Sequence, residues 1–293
     1  MKPDRLILAV LAVLLILAGC GSDGERDARG AAQVAAEPLE LSRTLFWYAQ
    51  FAPAAFLVGG PEPVLSDPAS HLRGRAFLVE ENGCGRAIGL RGPAPEDLLG
   101  RYHHPLTPVA DVDVGEGTEH HWLDRTIAIA EGDCPREGTV PAPEEVPGVD
   151  GVLIPKIFGM VRDTLREHWG MDLELLGAGS VVWRFPSGGR QLWAELYIRV
   201  DARPNRRFAL IGAELIAPDS VRLIAVEPVG VRERIEPIAA LDVDDDGRAE
   251  VLVHRSRENR QGWSTMGVMV FRGDAQGRWR PWKEVALLES EAG

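Results

Sequence analysis

From residue 181 to residue 271 the chain repeats one pattern: a short apolar run, a cluster of Gly, Pro, Asp or Ser, and another short apolar run. The runs fall at 181–185, 192–200, 208–216, 221–226, 238–241, 250–254 and 266–271, with a turn at Pro186-Ser187-Gly188-Gly189. Segments of strand length at this spacing predict antiparallel sheet with few helices. One stretch breaks the rule. Ile154, Ile157, Phe158, Val161, Leu165 and Trp169 recur at three- and four-residue intervals, with Arg162, Asp163, Arg166 and Glu167 on the opposite side, so residues 154–169 are expected to form an amphipathic helix. Gly170 supplies its stop.

The earlier part of the chain reads the same way with less regularity. Residues 75–79, 86–90 and 126–130 are strand-like and bounded by Gly, Pro or Asn, and Asn82-Gly83 between the first two marks a hairpin. The aromatic segment 44–51 suits a strand, with a helix as the alternative. Residues 140–148, Val-Pro-Ala-Pro-Glu-Glu-Val-Pro-Gly, continue neither kind of element and are expected to make a linker or long loop.

At the N-terminus Lys2 and Arg5 precede thirteen apolar residues, 6–18, and the run closes on Leu17-Ala18-Gly19-Cys20. As a helix those thirteen residues span about 20 Å at ~1.5 Å per residue, short of the ~20 residues of a membrane span. The pattern resembles a bacterial lipoprotein signal peptide with its lipobox. That resemblance implies cleavage after residue 19, palmitate-type acylation of Cys20 and membrane attachment through the N-terminal lipid, which two or three acyl chains make stable. By similarity to proteobacterial lipoproteins, Gly21 in place of Asp implies the outer membrane, facing the periplasm. Residues 20–40, polar and then rich in Ala, read as a flexible tether.

With Cys20 assigned to lipid, two of the three cysteines remain, Cys84 and Cys134. In an oxidising compartment the expectation is a disulfide; a redox or nucleophilic thiol, the alternative, lacks a CxxC or an adjacent histidine. The chain carries a formal charge of -12, and removal of residues 1–19 leaves -13. Nucleic acid is therefore not an expected partner, since phosphate binding requires a basic face.

One segment carries definite chemistry. Asp242, Asp244, Asp246 and Glu250 occupy positions 1, 3, 5 and 9 of a loop with Gly247 at position 6. Calcium takes six to eight oxygens, alternating carboxylates in a tight loop converge several of them, and the Arg248 carbonyl can add one more. Position 12 is Val253 and not Glu, which argues against an EF-hand. The spacing, with apolar residues on both sides, resembles one repeat of the FG-GAP and VCBS families over residues 237–272, where the loop joins two strands of a propeller blade. The resemblance implies a structural Ca2+ at this loop. A solvated acidic turn without metal is the alternative. Only one such loop occurs, while a propeller needs about four to eight blades.

His103 with His104 and His120 with His121 offer a weaker metal signal, without HExxH spacing, and no GxSxG elbow is present. Eight tryptophans, among them Trp183, Trp193, Trp263, Trp279 and Trp282, offer a glycan platform, although strand aromatics usually belong to cores. The expected organisation is a signal peptide at 1–19, a tether at 20–40, a small disulfide-bearing β-rich domain at 41–139, a linker at 140–149 and an α+β domain at 150–293. The expected fold is mainly β (α+β), with an antiparallel C-terminal domain, one blade-like repeat and one amphipathic helix. The expected function is non-enzymatic binding or scaffolding at the cell envelope, with an envelope protein or a cell-wall glycan as partner. The alternatives are a metal-dependent hydrolase built on the histidine pairs and a cell-wall glycan-binding protein that uses surface tryptophans.

Overall fold

The computed structural model describes residues 37–49, 54–80, 83–95, 102–103, 107–113, 126–136, 138–170, 172–200, 205–217, 220–258 and 263–291. The fold is mainly antiparallel β with one long amphipathic helix, as the apolar spacing predicts. The described residues form one compact unit.

The first part comprises β1 (Leu39–Glu40), β2 (Leu45–Ala49), β3 (Ala54–Gly60), two short helices α1 (Glu62–Ser66) and α2 (Pro68–His71), β4 (Arg73–Glu80), β5 (Gly83–Pro93), β6 (Tyr102–His103), β7 (Val109–Asp113) and β8 (Thr126–Ala130). Six of these strands close on themselves in the order β3-β2-β8-β4-β5-β7, with β7 pairing back to β3, and β1 adds to β3 in parallel. Alternation along the strands gives the barrel two apolar faces. Phe46, Tyr48, Leu57, Leu78, Ile88 and Leu90 fill the interior, while Leu45, Trp47, Phe56, Val58, Ile127 and Ile129 point outward into a second core. A disulfide joins Cys84 on β5 to Cys134, with 5.8 Å between the Cα atoms. At the expected hairpin Glu80 of β4 pairs with Gly83 of β5.

The expected linker is packed. Ala142 and Pro143 form β9 (Ala142–Pro143), Val140 is buried, and Glu144 pairs with Arg184 at 2.8 Å. A π-type turn (Val149–Leu153) leads into α3 (Ile154–Trp169). Helix α3 buries Ile154, Ile157, Val161 and Leu165, each contributing about 1.5–3 kcal/mol by leaving water. It ends because Gly170 adopts φ 73° and donates its N–H to the Arg166 carbonyl, a conformation that costs other residues a Cβ clash.

Beyond α3 the chain makes two consecutive four-stranded meanders. The first runs β10 (Leu173–Arg184), β11 (Arg190–Val200), β12 (Asn205–Ala217) and β13 (Ser220–Pro228), with β9 on its edge; the second runs β14 (Glu233–Leu241), β15 (Glu250–Glu258), β16 (Trp263–Gly273) and β17 (Trp279–Glu291), with β6 on its edge. The layers stack in the order helix, first meander, second meander, barrel. Leu192, Leu196 and Ile198 face α3, whereas Trp193 points the other way to meet Phe271 and Trp279 edge-on at 5.7 and 5.5 Å. In the second meander Val251, Val253, Met269 and Phe271 face the first meander, and Leu252, Val268, Val270, Val285 and Leu287 face the barrel. Both faces of this sheet are buried, which is why 251–253 and 268–271 read as unbroken apolar runs. The barrel and the second meander share one hydrophobic core across the first and last thirds of the chain, and the Thr107 hydroxyl adds a 2.6 Å bond to the Ala286 carbonyl.

Candidate functional site: the acidic loop between β14 and β15

Residues 242–249 connect the first two strands of the second meander, where Leu241 pairs with Glu250. The backbone is shaped by the aspartates themselves. The Gly247 N–H donates to Asp242 Oδ2 at 3.0 Å, the Asp246 N–H to Asp244 Oδ1 at 3.4 Å, and the Arg248 N–H to Asp246 Oδ1 at 2.8 Å. Each carboxylate thus spends one oxygen on the loop and turns the other away. Two residues take left-handed backbone, Asp245 at φ 60° and Gly247 at φ 83°; Asp tolerates that region and Gly adopts it without strain.

Carboxylate oxygens of Asp242, Asp244 and Glu250 lie within 4.8 Å of one another. Asp242 Oδ1 is buried and accepts no hydrogen bond. Glu250 has a side chain only 1% exposed; its Oε2 accepts the Val243 N–H at 3.0 Å, and its Oε1 sits 3.7 Å from Arg272 Nε. Burial pushes the Glu250 carboxyl up to about 7, Asp244 and Asp246 push it the same way, and the Val243 N–H and Arg272 oppose them. A buried carboxylate oxygen without a donor is costly. The three neighbouring carboxylates offer oxygens of the hard type that Ca2+ takes, three of the six to eight it needs.

Of the expected ligands, Asp242, Asp244 and Glu250 come together. Asp246 lies beside them with Oδ2 held by Arg272, and Arg248 is exposed, contributing its N–H to the loop. Two arginines remote in sequence complete the surroundings. Arg272, at the end of β16, places Nη2 2.8 Å from Asp244 Oδ2 and also against Asp246 Oδ2, and its guanidinium lies 4.9 Å above the Trp282 ring. Arg43 binds the Asp242 carbonyl through Nε at 2.8 Å and Asp245 Oδ1 through Nη2 at 2.6 Å, while Nη1 reaches the Asp133 carbonyl at 2.8 Å. Ser42 adds a backbone bond to the Val243 carbonyl and a hydroxyl bond to the Asp244 carbonyl. The acidic loop is therefore the clasp between barrel and meander. Acidic spacing marks the loop, but nothing local marks Arg43; Arg272 is foreseeable once Val251 is paired with Phe271, which brings residue 272 alongside residue 250.

The loop opens onto a cleft of about 650 Å³, walled also by the β10–β11 turn and the β16–β17 turn. Trp183 and Trp193 are buried in the core, and Trp279 is partly exposed at the cleft. His103 lies on β6, at the edge of the second meander; His104, His120, His121 and Cys20 fall outside the described residues. No described helix is long and apolar enough to cross a membrane. Searches against protein-family models, curated proteins and solved structures return no match.

Proposed function

We propose that this chain is a lipid-anchored envelope protein of the binding or scaffolding kind, in which calcium at the acidic loop fastens the meanders to the barrel. The observation that carries the reading is the buried Asp242 Oδ1 with no hydrogen-bond donor, on a carboxylate that lies within 4.8 Å of oxygens of Asp244 and Glu250. Bound Ca2+ neutralises carboxylates that otherwise repel one another, and Asp242, Asp244 and Glu250, with Asp246 and the Arg248 carbonyl beside them, are the residues to hold it. Its role here is cohesive. The same loop receives Ser42 and Arg43 from the barrel side, so ordering it orders the junction. The Cys84–Cys134 disulfide accords with an oxidising compartment, and the lipobox at residues 17–20 supplies the anchor. In such a compartment extracellular-type affinities of about 10⁻⁴–10⁻³ M are enough.

The test is thermal unfolding of the mature chain with calcium and with EGTA. At a hundredfold excess over Kd, calcium adds about 2.7 kcal/mol, which for a chain of this size is a rise in Tm of about 5–10 °C. Asp242→Ala removes the rise. A Tm indifferent to calcium in the wild type defeats the reading.

A further inference from the structure

The cleft beside the loop combines features of a small-molecule site. Its volume of about 650 Å³ falls within the usual range for ligand pockets. One wall presents the partly exposed ring of Trp279, braced edge-on by Trp193 at 5.5 Å and Phe185 at 6.3 Å, so the indole is a fixed flat surface. Arg136 and Arg248, both exposed, also line the cleft, and neither has an ion-pair partner among the described residues. Its other arginines are engaged: Arg43 with Asp245, and Arg272 with Asp244 and Asp246. Asp274 on the opposite rim is held by Arg278 at 3.1 Å.

Arg272 couples the cleft to the loop, because its guanidinium takes carboxylates that a metal needs. A cation tethered to β16 and a divalent ion at the loop are alternative partners for Asp244 and Asp246. Without metal, the cleft and loop together hold four guanidiniums (Arg43, Arg136, Arg248, Arg272) against five aspartates and Glu250, an excess of two acids. A divalent ion offsets that excess and frees Arg272, which already lines the cleft. We propose that the cleft is a calcium-gated site for an acidic sugar, with Arg136, Arg248 and the released Arg272 holding the carboxylate and Trp279 stacking on the ring. This rests on the loop taking calcium, as argued above.

Titration of the mature protein with CaCl2 alone, followed by calorimetry, tests the competition. Arg272→Gln is expected to bind calcium about tenfold more tightly than wild type. Tryptophan fluorescence then tests the ligand: sodium glucuronate gives a saturable change in calcium and at least tenfold weaker binding in EGTA, while glucose gives neither. Arg136→Ala, outside the calcium loop, weakens glucuronate binding at least threefold without altering calcium uptake, which also shows that the variant folds. Glucuronate binding that is equal in EGTA, equal for glucose, absent with calcium bound, or unmoved by Arg136→Ala overturns the proposal. Absence of calcium uptake by the wild type overturns instead the reading of the loop, and the gate with it.

Discussion

Two clusters of carboxylates and arginines stand at opposite ends of β14. At one end is the loop 242–250 with Arg43 and Arg272. At the other, Arg255 bridges Glu233 at 2.9 Å and Glu284 at 3.1 Å, Arg257 reaches Glu233 at 2.5 Å, and Glu227 lies close by. Both contain more acids than bases, yet they differ in closure. The Arg255 side chain is 8% exposed and its two carboxylate partners 12% and 7%, so the pairing at the centre of that network is sealed within the protein, with Arg257, 28% exposed, at its margin. Arg272 is 35% exposed, faces a cleft, and leaves Asp242 Oδ1 without a donor. A sealed network uses arginine as its permanent cation, whereas the open one holds arginine on carboxylates that another cation can take.

Removing the arginines in turn separates the two most strongly. Arg255→Ala strands Glu233 and Glu284 in a buried setting and is expected to cost about 3–5 kcal/mol in denaturant unfolding, the same with calcium as with EGTA. Arg272→Ala in saturating calcium is expected to cost less than about 1 kcal/mol, since its partners are then served by the metal. Equal losses for the two variants in calcium erase the distinction.

The disulfide sharpens the comparison from outside both clusters, since it lies next to the clasp: Asp133, whose carbonyl binds Arg43 and whose Oδ2 accepts the Thr44 N–H at 2.8 Å, precedes Cys134. Closing a loop of 50 residues is worth about 2–4 kcal/mol. The double variant Cys84→Ser with Cys134→Ser is expected to lose that amount and, with it, part of the calcium-dependent rise in Tm. An intact calcium response in the reduced-loop variant detaches the disulfide from the clasp.

How far this could be read in the chain depends on where each residue's partners lie. Helix α3 was legible to its last residue, because its apolar stripe and Gly170 are local facts. The strands at 208–216 and 266–271 were legible because burial on one or both faces leaves apolar runs. Strand β17 was not: Pro281, Lys283 and Glu284 interrupt it, its register shifts beside Phe271, and only Val285 and Leu287 declare the barrel-side face. Closure of the barrel by β3 on β7 is likewise a long-range pairing with no local mark. The loop announced its aspartates and Gly247 through their own hydrogen bonds, yet its balance of charge is set by Arg43, about 200 residues earlier in the chain. The stretch 140–148 misleads in the opposite sense. Its prolines forbid long elements, and it packs nonetheless through Val140 and the short pairing of Ala142 and Pro143 with β10.

Proton linkage gives the smallest but most discriminating effect. Burial pushes Glu227 above the ordinary carboxylate range, with Arg255 opposing and Glu284 and Glu233 reinforcing, and burial raises Glu284 too. Glu233 goes the other way: burial favours its neutral form, but the hydrogen bonds and charge of Arg255, with Arg257, outweigh it. For the raised pair, the folded chain holds protons longer than the unfolded one. Their favourable contribution is therefore complete below the ordinary glutamate value and disappears as pH rises through their folded values; that of Glu233 is present above the ordinary value and disappears as pH falls through its lowered one. Glu227→Gln keeps the shape of the protonated acid and abolishes the charge, so it is expected to stabilise the protein at pH 8 by on the order of 1 kcal/mol and to change nothing at pH 4. Urea unfolding of the Asp242→Ala background in EGTA reads this without interference from the loop. A gain of equal size at both pH values assigns the effect to packing, and a loss at pH 8 means that the Glu227 charge is needed by Arg255, which makes the sealed network a balanced one and not an acid-rich one.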